Sequence, residues 1–100
     1  MASNFAISYA RKGNTLHLDL SGDFDGASAD ALLKVIEGYG NNMEKIFIHT
    51  DGLRSIHPFG QILFQNKYNL IKNHQLAVVF EGKNREKMMP VTEGVSWVNI

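Results

Sequence analysis

The chain has 100 residues, 44% of them apolar and 20% charged, with ten Lys+Arg against ten Asp+Glu and no cysteine. That length and balance suit one compact soluble domain spanning residues 1–100, and they exclude disulfides, thiolate nucleophiles and Cys-ligated zinc. A zero formal charge argues against nucleic acid or an anionic membrane as the main partner, since both select a basic surplus.

The N-terminus MASNFAISYARKG has no basic segment followed by an apolar run, so it does not read as a signal peptide. No apolar stretch approaches the ~20 residues of a membrane span, and a cytoplasmic protein without membrane insertion is expected. Phe5–Ala10 alternates bulky and small residues as a strand does, and Lys12-Gly13-Asn14 reads as a turn. Thr15–Leu20 then alternates cleanly, leucines inward and His17 and Asp19 outward, predicting a hairpin. Gly22–Gly26 reads as a loop. Ala29, Leu32, Leu33 and Ile36 recur at helical spacing, ended by Gly38 and Gly40.

Lys45–Thr50 reads as a short strand, apolar on both faces as in a covered sheet. A helix is predicted from about Phe59 to Lys72, with Ile62, Leu63 and Leu70 on one stripe and Phe64, Tyr68 and Ile71 beside it, before Asn73-His74. Leu76–Phe80 is the most hydrophobic strand. Gly82 opens a polar turn, Asn84–Met89 suits a short helix, and Val95–Ile100 reads as a last strand or an extended tail. Strands alternating with helices in short units predict an α/β fold with a mixed sheet.

Gly22-Asp23-Phe24-Asp25, placed after an alternating strand and before a helix, resembles the G-E-hydrophobic-D signature of STAS domains, the modules typified by anti-sigma-factor antagonists. The helix with Leu32 and Ile36, the strand Ile46–His49, the Asp51-Gly52-Leu53 turn, the helix beginning around Gly60 and the strand Leu76–Phe80 with Gly82 follow the same order. The resemblance covers nearly the whole chain. It implies a mixed sheet of four to five strands with helices packed mainly on one face. It also implies a non-catalytic module of bacterial signalling and transcription regulation that binds an anti-sigma factor or a kinase-like regulator.

In antagonists of this type the loop before the second helix reads D-S-[ST]-G, and phosphorylation of its serine abolishes binding. Adding about −1.5 to −2 charges inside an interface brings repulsion and desolvation cost. Here the four positions are His57-Pro58-Phe59-Gly60. Only the glycine matches, and proline carries no hydroxyl, so no phosphorylation is expected at Pro58. Ser55, Thr50 and Ser28 are the neighbouring hydroxyls, Ser55 the first substitute. The resemblance places the partner-binding surface on Asp51, Leu53, Ser55, His57, Pro58, Phe59 and Gly60, flanked by Asp23 and Asp25.

Proline suits the first helical position, where its missing N–H costs nothing, and Ser55 is a candidate cap. Phe59 is either a core residue or an exposed apolar anchor, and aromatics are enriched in interface hot spots. His49, Asp51 and His57 share a strand-to-helix loop, where open α/β sheets place ligands. Yet no HxH or HExxH spacing supports a metal or an acid–base cluster, and neither metal nor catalytic residues are expected. His17 and His74 read as ordinary surface residues. Lys83, Arg85 and Lys87 are offset by Glu81 and Glu86. Gly22–Gly26 lacks the lysine and glycine spacing of a phosphate loop, so no cofactor is expected. The alternative function is a small-ligand or lipid-binding accessory subunit of a transport system. A homodimer is compatible with the weak net charge.

Overall fold

The computed structural model describes residues 4–39, 43–71 and 77–88, with the backbone alone at 69–71. Gly40, Lys72, Asn73, His74, Leu76, Met89 and the expected Val95–Ile100 strand lie outside the described residues, as do the side chains of Leu70 and Ile71. The elements are β1 (Ala6–Lys12), β2 (Thr15–Phe24), α1 (Gly26–Tyr39), β3 (Lys45–Ile56), α2 (Pro58–Ile71), β4 (Ala77–Glu81) and α3 (Arg85–Met88). The four strands form one mixed sheet in the order β1-β2-β3-β4.

β1 and β2 are a hairpin, antiparallel from Ala6↔Ser21 to Lys12↔Thr15. β2 pairs with β3, and β3 with β4, in parallel. Each parallel step carries a helix, because parallel neighbours need a long crossover.

The alternation of β2 sorts the two faces. Leu16, Leu18 and Leu20 are buried together with Ile46 and Ile48 of β3 and Phe80 of β4. Against them pack Ala29, Leu32, Leu33 and Ile36 of α1, Phe64 and Tyr68 of α2, and Met88 of α3, all in one core cluster. The rings of Phe24, Phe64 and Phe80 meet edge to face, at 6.1 Å for Phe24–Phe64 and 5.9 Å for Phe64–Phe80. The helices therefore cover one face, as expected for the STAS-like fold.

Three expectations are corrected. β2 does not end at a Gly22–Gly26 loop but runs to Phe24, and Asp51-Gly52-Leu53 is strand rather than turn, because β3 runs to Ile56. The two extensions pair with each other, Ser21↔Gly52, Gly22↔Leu53 and Asp23↔Ser55, across two register shifts. Glycines inside a strand mark such bulges as readily as they mark loops. Nor is β3 covered on both faces: Phe47 and His49 are only half-buried, on the face away from the helices.

Candidate protein-binding site

The two helix N-termini that follow β2 and β3 lie side by side at one end of the sheet. Asp25 caps α1. Its carbonyl accepts from Ala29 N–H at 2.9 Å, and its Oδ1 accepts from Ser28 N–H at 2.9 Å. The Ser28 hydroxyl, 2.9 Å from the same oxygen, also lies 3.2 Å from the Asp23 carbonyl. These bonds, the Ser28 backbone N–H foremost, hold the Asp25 carboxyl below its ordinary pKa.

His57 occupies the corresponding place in α2. Its carbonyl accepts from Gln61 N–H at 3.0 Å, while its own N–H donates to the Phe24 carbonyl at 2.8 Å. Pro58 is therefore the first helical residue, as its chemistry requires.

Two glycines let the helix starts touch. A Cβ on Gly60 would sit 2.6 Å from the carbonyl carbon and oxygen of Asp25. A Cβ on Gly26 would sit 2.7 Å from Cε2 of Phe59, so the Phe59 ring lies over the first turn of α1. Gly60, Phe64 and Tyr68 share the inward line of α2. Phe59 and Ile62, three residues apart, share another line. That second line faces outward: Phe59 is 68% exposed and Ile62 56%.

Beside this ridge, Arg54 Nε donates to Asp23 Oδ1 at 3.1 Å and Arg54 Nη2 to Asp23 Oδ2 at 2.8 Å. Ser55 Oγ donates to Asp23 Oδ1 at 2.7 Å, so Ser55 does not cap α2. The Arg54 bonds first, then that of Ser55, hold the Asp23 carboxyl well below the usual carboxylate range.

The remaining candidates are distributed differently. Asp51 Oδ1 accepts from Lys83 N–H at 2.7 Å and so fastens the turn after β4. Leu53 is 4% exposed and belongs to the core, offering a partner no surface. His49, Asp51 and His57 are not assembled into one cluster. His49 instead faces His17 at 3.0 Å and Glu81 at 3.4 Å, and among the described residues no group of three or more His, Cys, Asp or Glu is placed to hold a metal ion. Thr50 is buried, its hydroxyl donating to the Glu81 carbonyl. Lys83, Arg85 and Lys87 are exposed. Among the described residues no helix is long and apolar enough to cross a membrane.

The sequence reading missed three features. Ile62, on one apolar stripe with Leu63 and Leu70 in the sequence, is 56% exposed, on the line of Phe59 rather than that of Phe64. Arg54 went unnoticed as the partner of Asp23, a pairing that follows only from the β2–β3 register. His17 looked ordinary until that register set it beside His49.

No protein-family model matches the chain, and no curated protein matches it. Among solved structures, SpoIIAA, an anti-sigma factor antagonist in its unphosphorylated form, is similar with a TM-score of 0.59 at 12% identity, over 95% of this chain and 97% of that one. An anti-sigma factor antagonist from Mycobacterium paratuberculosis is similar with a TM-score of 0.58 at 13% identity, over 99% and 83%. A protein named Mglu gives a TM-score of 0.67 at 18% identity, over 78% of this chain; the chain spans only 20% of that protein's length. The fold is that of STAS domains, SpoIIAA-like and α/β, with a mixed four-stranded sheet among the described residues.

Proposed function

We propose that this chain is a non-catalytic regulatory module of the anti-sigma-factor-antagonist type, acting in the bacterial cytoplasm by binding an anti-sigma factor or a kinase-like regulator. Its contact surface is the ridge of Phe59 and Ile62 at the start of α2. Asp25, His57 and Pro58 lie along its base, and the Asp23–Arg54–Ser55 group lies at its rim. Gly60 serves the surface indirectly, by letting α2 approach α1.

The observation that carries this reading is the exposure of Phe59, 68%, on a turn fixed by Pro58 and by the bond from His57 N–H to the Phe24 carbonyl. A large ring held in one place loses little conformational freedom on binding and buries much apolar area. Similarity to two anti-sigma factor antagonists over nearly the whole chain supports a regulatory STAS-like module.

In this reading the serine switch is absent. The residue at the first position of α2 is Pro58, which has no hydroxyl, and Ser55 lies back in β3 with its hydroxyl engaged by Asp23. The small-ligand alternative needs space under α2. There Phe64 meets the rings of Phe24, Tyr68 and Phe80, and Tyr68 meets Phe80, which favours the protein-binding reading.

Calorimetry of the chain against a panel of anti-sigma factors tests the proposal. Phe59→Asp is expected to weaken binding by about 30-fold or more, as loss of a hot-spot aromatic does. Unchanged affinity would remove Phe59 from the interface.

A further inference from the structure

The sheet face opposite the helices presents an ordered pattern. The registers place residues on it in three rows across the strands β1 to β4. One row is Lys12, Thr15, Lys45 and Ala77; the next is Ala10, His17, Phe47 and Val79; the third is Ser8, Asp19, His49 and Glu81. The first row is basic, the third acidic and the middle one largely apolar. Phe47 and Val79 are half-buried yet are not among the residues of the core or those packed against it. Among the described residues, the helices contribute their buried side chains to the other face.

The side chains in the middle of this face hold one another in place. The His17 ring lies 16° from parallel to Phe47, with centroids 4.8 Å apart, and 8° from parallel to His49. His17 Nδ1 and His49 Nε2 are 3.0 Å apart, and His49 Nδ1 lies 3.4 Å from Glu81 Oε1. Directing the His49 Nδ1–H to Glu81 leaves Nε2 to accept from His17, an assignment that satisfies both contacts. Lys45 Nζ covers Phe47 at 5.3 Å from its centroid. Rings fixed in this way dock with little further loss of side-chain freedom.

We propose that this face pairs with the same face of a second copy of the chain, about a two-fold axis lying in the interface and perpendicular to the strands. That axis turns the second sheet end over end while keeping each strand above its own counterpart. Phe47 and His17 then meet their own equivalents near the axis. Lys45 comes over His49 of the second copy, between Asp19 and Glu81, and the relation repeats in reverse. A two-fold axis along the strands would set acidic row on acidic row, so the charge pattern selects the first arrangement. The contact is isologous and closed, as in most homodimers, and resembles the aligned packing of two sheets about 10 Å apart. With no net formal charge, long-range repulsion between copies is weak.

The test is sedimentation equilibrium of the full chain at micromolar concentration, repeated on charge variants. A dimer is expected. Lys45→Glu and Glu81→Lys are each expected to weaken self-association about tenfold or more, because like charges then face each other. Mixed in equal amounts, the two variants are expected to form a heterodimer that restores the original affinity. Phe47→Glu is expected to be monomeric. Should that variant fail to fold, the charge-exchange pair still decides. A monomeric parent chain overturns the proposal, whether residues 89–100 or a different protein occupies the face. A dimer indifferent to the charge variants overturns it as well. Phe59→Asp leaves the dimer intact, so this outcome is separate from that for the α2 surface.

Discussion

Arg54 grips Asp23 with two parallel hydrogen bonds, 3.1 and 2.8 Å long, and so joins the end of β2 to the end of β3, the strands that lead into α1 and α2. Such fork-to-carboxylate pairs fix orientation as well as distance. The pair sits where β3 is bulged, Arg54 being the extra residue between the partners of Gly22 and Asp23, so it holds in place a segment whose ladder bonding is interrupted.

The low pKa of Asp23, due first to Arg54 and then to Ser55, has a definite sign. A carboxyl whose folded pKa is depressed contributes stability that is complete above its unfolded value of about 3.9, and that is lost as pH falls toward the folded value. Asp23→Asn is therefore expected to lower the melting temperature at about pH 6, with the gap to the parent narrowing steadily toward about pH 2. Thermal unfolding followed by circular dichroism across that range checks it. A gap that stays constant would mean that Asp23 acts through shape alone.

Gly60 marks the place where α2 touches α1. A methyl group there would press on the Asp25 backbone at 2.6 Å, and backbone cannot turn away as a flexible side chain can. Gly60→Ala is expected to cost on the order of 1–3 kcal/mol by overpacking. Gly38→Ala provides the control. It lies in α1 with nothing within 4 Å of the new carbon, so helix propensity should make it stabilising by roughly 0.5–1 kcal/mol. Urea unfolding of both variants reads the contrast directly, and equal effects would contradict the close helix contact.

Phe64 and Ile62 stand two residues apart on α2 with opposite roles. Phe64 is fully buried and meets the rings of Phe24, Tyr68 and Phe80; Phe64→Ala is expected to cost about 3–5 kcal/mol. Ile62→Ala, at an exposed position, is expected to change stability by less than about 0.5 kcal/mol while weakening partner binding. A large stability loss at Ile62 would place it in the core and shrink the proposed surface.

The sequence made the layered α/β fold legible because its elements carry strong periodic signals. Thr15–Leu20 alternates, Ala29–Ile36 repeats at helical spacing, and Pro58 announces the start of a helix. The extent of β2 and β3 was hidden, because Gly22 and Gly52 are turn residues in isolation and become bulge positions only when the two strands pair. The side-chain contacts of the candidate site were not legible. The Asp23–Arg54 bond spans 31 residues and the His17–His49 contact 32, so neither exists until the register is set. For Phe59 the choice between core and surface is made by Gly26 and Gly60, which together bring the ring over α1 rather than beneath it.

The proposal to test is that the chain binds its partner through the start of α2 and, with no hydroxyl at His57-Pro58-Phe59-Gly60, is not switched by phosphorylation there. The most direct measurement is a calorimetric titration of an anti-sigma factor kinase with the chain, before and after incubation of the chain with that kinase and ATP. Mass spectrometry of residues 51–60 accompanies each sample. Binding of equal affinity is expected in both titrations, with no phosphate on that segment. Loss of binding after incubation, with phosphate on Ser55 or another residue there, would contradict it, and so would the absence of binding in both.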